Sequence, residues 1–273
     1  MRDLIAQLSA RPDPALVFLA ESGERLELTG RVSANWVYKT AGLLGELGVG
    51  PQVGFGVVCP SPPHLHWRVL AAMLAAWSLG AQVSLLDPHG EPPEDEWVAM
   101  RPEHLDDSRA PASPPPVDDS AAEVLVYATG ALALSAEAPA GCIDYNSAVR
   151  AYPDVTALGA PTHLDLVDVS GEAHRIPVPE AEAGAGARVA GAGGATGSAS
   201  AGESAPGPDS RTADTSGTAL LAGLPRSADE WSELLNVLIR GTLILTDIAD
   251  DSRLQRRLDG EQVVHGTIGT WTK

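Results

Sequence analysis

The sequence predicts an α/β fold: a three-layer, mostly parallel, doubly wound sheet arrangement in one large domain. Short apolar runs of strand length alternate with segments that repeat apolar residues every three to four positions, before and after a tract of small residues. The run from about Val53 to Val58 is continuously apolar apart from its glycines, as expected of a parallel strand covered on both faces. A chain of 273 residues suffices for one such domain, or for one domain with a small appended piece.

The elements follow in order. Residues 15–28 predict a hairpin, with Leu16 and Phe18 on one side of a Ser22-Gly23 turn and Leu26 and Leu28 on the other. Thr29 is suited to cap a helix running to about Leu47, with Val32, Trp36, Leu43, Leu44 and Leu47 inward and Gly48 as its stop. After the strand at Val53–Val58, Ser61 is expected to cap the next helix, with Pro62 and Pro63 in its first turn. Its inner face would carry Leu65, Val69, Leu70, Met73, Leu74 and Trp77, and Gly80 would end it. A strand then leads to Asp87-Pro88.

Residues 89–120 read as an acidic, Pro-rich irregular excursion, anchored by Trp97, Val98, Met100 and Leu105 and holding at most a short helix. Structure resumes with a strand at Glu123–Ala128 and a short helix capped by Asp144 that runs to about Arg150. Residues 163–169 form a further strand candidate. Residues 180–218, mainly Ala, Gly, Ser and Thr, bury too little apolar surface to offset chain entropy and are expected to be a disordered insertion within one sheet. Strand at 219–225, helix near Trp231–Arg240, strand at 241–247, helix near Ser252–Leu258 and strand at 261–268 then repeat the same alternation.

Composition narrows the function. The net charge of −18 is concentrated: from Asp87 to Glu123, eleven acids against Arg101 and Arg109 leave −9, half the total. That sign repels phosphate backbones and anionic lipid, which argues against nucleic acid or membrane as a partner. Cys59 and Cys142 supply neither a disulfide framework nor metal spacing, and Cys59, closing an apolar run, reads as a small buried hydrophobe. With no apolar stretch of membrane-spanning length and no basic flank leading into an apolar run at the N-terminus, the expected compartment is the cytoplasm.

Three stretches carry a resemblance. Residues 23–51, closing in Leu-Gly-Val-Gly-Pro, residues 59–88, closing in Asp-Pro, and residues 220–247, with Leu224-Pro225 and the Gly-Thr-Leu-Ile-Leu strand, stand in an order and spacing similar to the N-terminal domain of the adenylate-forming superfamily. That superfamily includes acyl-CoA synthetases, peptide-synthetase adenylation domains and luciferase. Residues 143–154 and the ending at 261–270 further resemble an uncharacterised actinobacterial family of truncated proteins related to these AMP-binding enzymes. The positions that match, such as Gly48, Gly80, Pro88 and Gly241, are turn and packing residues.

The resemblance implies a nucleotide cradle similar to Thr-Ser-Gly-Thr-Thr-Gly-x-Pro-Lys-Gly, whose amides, hydroxyls and lysine hold ATP phosphates. Three places approach it. Tyr127-Ala128-Thr129-Gly130 follows a strand but lacks the later Gly-x-Pro-Lys; residues 191–202 are glycine-rich low-complexity sequence; Thr215-Ser216-Gly217-Thr218 runs at once into a strand. Lysine occurs only at Lys39 and Lys273, and the later family elements, including the mobile C-terminal domain with its catalytic lysine, have no counterpart before the sequence ends. No catalytic, cofactor-binding or metal-ligating residue is therefore assigned, and no cofactor is expected.

Other constellations have plainer readings. His64 and His66 read as solvent-facing or capping residues rather than a metal pair. His163 and His174, with Asp165 and Asp168, leave a His/Asp site as a minor alternative, and Trp36, Trp67 and Trp77 read as core or partner-facing aromatics. The expected function is that of a degenerate AMP-binding-like protein without ligase activity, a ligand- or protein-binding module with a protein partner or a second copy of itself. The alternative is a carboxylate-activating ligase that uses ATP and Mg through an unorthodox or partner-completed nucleotide site.

Overall fold

The computed structural model describes residues 1–88, 90, 93–104, 120–179, 217–259 and, as backbone, 265–267. Among them the α/β class and the mostly parallel strand arrangement hold, with the strands shared between two sheets rather than gathered into one. Helix α1 (Arg2–Ala10) leads into the antiparallel hairpin β1 (Pro14–Leu19) and β2 (Arg25–Thr29), whose turn needs the left-handed backbone of Gly23, φ +97°. Then come α2 (Gly30–Glu46), β3 (Gly54–Val58), α3 (Trp67–Ser78), β4 (Val83–Leu86), β5 (Trp97–Pro102) and β6 (Glu123–Tyr127). A short β7 (Ile143–Asp144) runs into α4 (Tyr145–Ala148), followed by the hairpin β8 (His163–Val167) and β9 (Ala173–Pro177). Strand β10 (Thr218–Leu221), helix α5 (Ala228–Arg240), strand β11 (Thr242–Thr246), helix α6 (Asp251–Leu258) and strand β12 (His265–Thr267) complete the order.

The first sheet has the order β12-β10-β11-β1-β2 and the second β7-β6-β5-β3-β4-β8-β9; only the hairpin pairs β1–β2 and β8–β9 are antiparallel. Two sheets form because the helices between them have apolar residues on more than one face. Every residue of α3 is buried, and its side chains share one core with Phe18 and Leu245 of the first sheet and Phe55, Met100 and Leu125 of the second. Each large apolar side chain so buried contributes roughly 1.5–3 kcal/mol. Trp77 ties α3 to its surroundings twice, through an edge-on contact with Trp231 of α5 at 5.9 Å and an indole N–H donated to the Asp165 carbonyl at 3.0 Å. The opposite faces of the sheets carry smaller clusters, Val17, Leu19 and Ile244 beneath Leu254 of α6, and Val58, Trp97, Ala99, Val124 and Val126.

Several expectations need correction. Ser61 caps no helix: residues 60–66 are loop, and α3 begins at Trp67 with His66 as N-cap. Val32 is exposed and the inner face of α2 is carried by Val37, Ala41, Leu43 and Leu44, a displacement of the stripe that its many small residues permit. The stretch at 89–120 is not irregular throughout, since Trp97–Pro102 is a central strand flanked by β3 and β6. Its neighbouring prolines and acids mask a fully buried six-residue run. Helix α1, built on Leu4, Ile5 and Leu8, is an element beyond those the sequence predicts. Thr29, Asp144, Gly48 and Gly80 stand where expected, as two N-caps and two left-handed helix stops. Residues 105–119 and 180–216, including the whole of 191–202 and Thr215-Ser216, lie outside the described residues.

The ring of Trp97 lies across Gly56, where an added Cβ would stand 2.3 Å from a ring carbon. Gly56→Ala is therefore expected to lower stability by about 1–3 kcal/mol in urea unfolding, through overpacking. Gly54→Ala, whose Cβ would meet nothing nearer than 3.7 Å, is expected to cost far less. Equal losses would contradict this packing.

Candidate functional site

The carboxyl ends of β1, β5 and β6 meet at a loop, residues 128–138, that leaves β6. Ligands of open α/β sheets gather at such ends, so this is where a phosphate-holding loop would be looked for. Two side chains from the N-terminus of α3 take the loop's carbonyls. The Arg68 guanidinium, 2% exposed, donates to the carbonyl oxygens of Ala128 (3.0 Å), Gly130 (2.8 Å), Ala131 (3.4 Å) and Ala133 (2.8 Å). Its other contact is with the ring of Trp67, 4.4 Å from the centroid. His66 adds a fifth carbonyl, its Nε2 standing 3.3 Å from the Thr129 oxygen.

Several of the loop's amides are committed as well, four of them to carboxylates. Thr129 N donates to Glu103 Oε1 at 3.1 Å, Ala131 N to Glu24 Oε2 at 2.9 Å, Ala136 N to Asp144 Oδ1 at 3.0 Å and Glu137 N to Glu103 Oε2 at 3.1 Å. Asn146 closes the set, accepting from Ala128 N at 3.2 Å and donating to the Ala133 carbonyl at 2.9 Å. Glu24 comes from the β1–β2 hairpin, whose tip α6 holds: Arg257 donates to the Gly23 carbonyl at 2.9 Å, and Arg253 pairs with the Glu21 carboxylate. The loop thus links both sheets, with Glu24 supplied by one and Glu103 by the other.

Charge explains the arrangement. Burial pulls the Arg68 pKa down to about 10, and the nearby Tyr145, Tyr127, Glu103 and Glu24 oppose that shift, so the guanidinium is still protonated at neutral pH. His66 behaves oppositely. Its Nδ1 accepts the amide of Arg68 at 3.2 Å, which puts the ring proton on Nε2 and the donated bond on Thr129. Burial and the neighbouring Arg68 and His64 charges hold its pKa well below 6.5, so the ring is neutral. Cys59 and Tyr145 are pushed up to about 12, burial being the main cause, and stay protonated.

Of the places singled out in the sequence, Tyr127-Ala128-Thr129-Gly130 alone among the cradle candidates falls wholly within the described residues, and it opens this loop. His66 proves a capping residue, buried rather than solvent-facing. His64 belongs to the preceding loop. Lys39 lies on α2, bound to the Tyr152 carbonyl at 2.6 Å and to Asp154 at 2.8 Å. Trp67 and Trp77 are core, and Trp36 is half-buried against Trp67 at 5.0 Å. Of the His/Asp candidates, Asp168 and His174 come together, whereas His163 and Asp165 occupy other positions on β8. Arg68, Glu24, Glu103 and Asn146 were not singled out. A signal existed for Arg68 only: a lone cation in the first turn of an otherwise apolar helix must find partners when the helix is buried.

No protein-family model matches the sequence. A TIGR03089 family protein of Mycobacterium tuberculosis is 33% identical over 135 residues, 49% of this chain and 51% of that protein. The structure is similar to an acyl-CoA synthetase of Brucella canis, with a TM-score of 0.58 at 13% identity over 93% of this chain and 45% of that one. The chain carries a fold similar to about half of an acyl-CoA synthetase. A fatty acyl CoA synthetase of Mycobacterium tuberculosis (TM-score 0.57, 11% identity, 97% of this chain and 48% of that one) and the amide bond synthetase McbA of Marinactinospora thermotolerans (0.51, 13%, 97% and 46%) share that fold. The chain spans about half the length of these proteins. Among the described residues no helix is long and apolar enough to cross a membrane.

Two outcomes follow for this site. Arg68→Met leaves several buried carbonyls without a donor and is expected to lower stability by roughly 3 kcal/mol or more, with Arg68→Lys recovering only part because an ammonium cannot span four carbonyls. Chemical denaturation measures both, and a neutral Arg68→Met would contradict the role given to the guanidinium. The second outcome concerns pH. The unfolded His66 takes a proton near pH 6.5 and the folded one only at lower pH, so the unfolded state binds more protons and stability falls as pH drops below 6.5. The slope is at most about 1.4 kcal/mol per pH unit for one proton. His66→Asn, which keeps a capping oxygen, should flatten a melting-temperature profile by that one-proton share, and an unchanged profile would contradict a buried neutral His66.

Proposed function

We propose that this protein is a non-activating derivative of the adenylate-forming fold, acting as a binding module rather than as a ligase. The observation that carries the reading is the bonding of the 128–138 loop to side chains of the surrounding elements: four amides donate to the Glu24, Glu103 and Asp144 carboxylates, and Arg68 and His66 hold five carbonyls. A triphosphate would take such amides as its donors, yet here it would have to displace three carboxylates and bring further negative charge beside them. Among the described residues, the cation that bonds to the loop itself, Arg68, is buried and donates to carbonyls, and the sequence places no lysine in the loop. The residues present at the loop therefore do not fit Mg-ATP.

A binding role is supported by the loop's outer side. Leu132 and Leu134, 60% and 68% exposed, project from a segment held by Arg68 and Asn146, so the two apolar side chains are presented on a fixed backbone. An exposed apolar pair on a rigid support suits a protein partner or a second copy of the chain.

Purified protein is expected to show no melting shift with Mg-ATP and no carboxylate-dependent pyrophosphate exchange across a panel of fatty, aromatic and amino acids. Formation of an acyl adenylate by the chain alone would overturn the reading. Exchange that appears only when another chain is added would favour the ligase with a partner-completed site.

A further inference from the structure

The β8–β9 hairpin sits at the edge of the second sheet, away from the loop described above, and its turn gathers a histidine and two carboxylates. Asp168 follows β8 and faces Glu172 across the turn, bonded backbone to backbone at 2.9 Å, while Gly171 turns the chain with a left-handed φ of +84°. Glu172 and His174 are two residues apart along an extended segment and so project to the same side, as does Asp168 from the opposite strand. His174 Nε2 lies 3.0 Å from Asp168 Oδ2, and one ligand atom from each of Asp168, Glu172 and His174 falls within 4.8 Å of the others.

The two oxygens of Asp168 have different surroundings. Oδ1 accepts from Ser170 N (2.8 Å), Ser170 Oγ (2.6 Å) and Glu172 N (3.0 Å), which fixes the carboxylate and leaves Oδ2 directed at the imidazole. Burial opposes ionisation here, but the bonds from His174, Ser170 and the turn amides outweigh it and bring the Asp168 pKa down to about 2, so it is anionic at neutral pH. Two ligand atoms each about 2.1 Å from one ion, at an angle of about 90–110°, stand about 3.0–3.4 Å apart. The observed Nε2 to Oδ2 separation already has the length of such an edge. A cavity of about 250 Å³ adjoins Asp168, walled by Val169, Ser170, Leu224 and Pro225, and offers room for the water or anion that would complete an incomplete ligand set.

We propose that Asp168, Glu172 and His174 form a site for a divalent first-row transition-metal ion, with zinc the best match to one imidazole and two carboxylates. An imidazole ligand disfavours calcium and magnesium, which take oxygen ligands. On binding, the ion takes the place of the hydrogen between Nε2 and Oδ2; that proton passes to Nδ1 if the ring carries one N–H and to solvent if it carries two, so that the ligating imidazole has its N–H on Nδ1. This site is independent of the reading given for the 128–138 loop.

The test uses the full chain, freed of metal by chelator and titrated with Zn²⁺ by calorimetry and with Co²⁺ by visible absorption. One ion per chain, a Co²⁺ spectrum of low coordination number and a raised melting temperature with Zn²⁺ are expected. His174→Gln should weaken binding by roughly tenfold or more, the exposed Glu172→Gln should weaken it several-fold without loss of fold, and His163→Gln should leave it unchanged. Failure to saturate at one equivalent, or parental affinity in both His174→Gln and Glu172→Gln, would overturn the proposal.

Discussion

A cation buried without a carboxylate in contact is the constraint around which this end of the molecule is built. Arg68 is 2% exposed because α3 is buried along its whole length, so its charge must be solvated by the protein itself. The carbonyl dipoles of the loop after β6 do this, and the loop must bend to present four of them to one guanidinium. Once the carbonyls turn toward α3, several amides turn elsewhere and need acceptors. Glu24, Glu103 and Asp144 supply those acceptors, and the acceptors in turn fix the hairpin tip, the end of β5 and the start of α4.

This reciprocity is the observation on which the proposed binding role rests. A cradle keeps its amides unpaired or water-bonded until an anion arrives, and its preorganisation is maintained by the rest of the fold. Here carboxylates of the protein, delivered from both sheets, accept four of the amides, and the proposed function rests on that occupation. The layered core of a fold similar to that of an acyl-CoA synthetase rests on α3 and the two sheets. Fold similarity therefore transfers architecture to this chain and leaves chemistry to be argued from the loop itself.

Much of the fold was legible in the sequence because it is written in local signals. Thr29, Asp144, Gly48 and Gly80 mark helix ends through capping and left-handed turns, and the β1–β2 hairpin is announced by Ser22-Gly23. Strand β5 was hidden because its six residues sit among prolines and acids, and burial depends on β3 and β6, which lie elsewhere in the chain. The cap of α3 was misplaced for a related reason: Ser61, Pro62 and Pro63 form a plausible helix start locally, whereas the imidazole of His66 caps it. The division into two sheets is likewise a tertiary outcome, since periodicity shows that α3 is apolar but not that a second sheet covers its other side. The loop's wiring was least legible. Glu24 and Glu103 are ordinary surface acids by sequence, Asp144 shows there only as a helix cap, and all three acquire their role at the loop only when separate elements converge on residues 129–137.

The account stands most directly on the amides of Thr129, Ala131, Ala136 and Glu137. Residue-resolved hydrogen exchange on the full chain, followed with and without Mg-ATP, reads those four positions individually. Slow exchange in the ligand-free protein, unchanged by nucleotide, is the predicted result. Rapid exchange that becomes slow when nucleotide is added would show amides waiting for an external anion, and would contradict a loop completed by its own carboxylates.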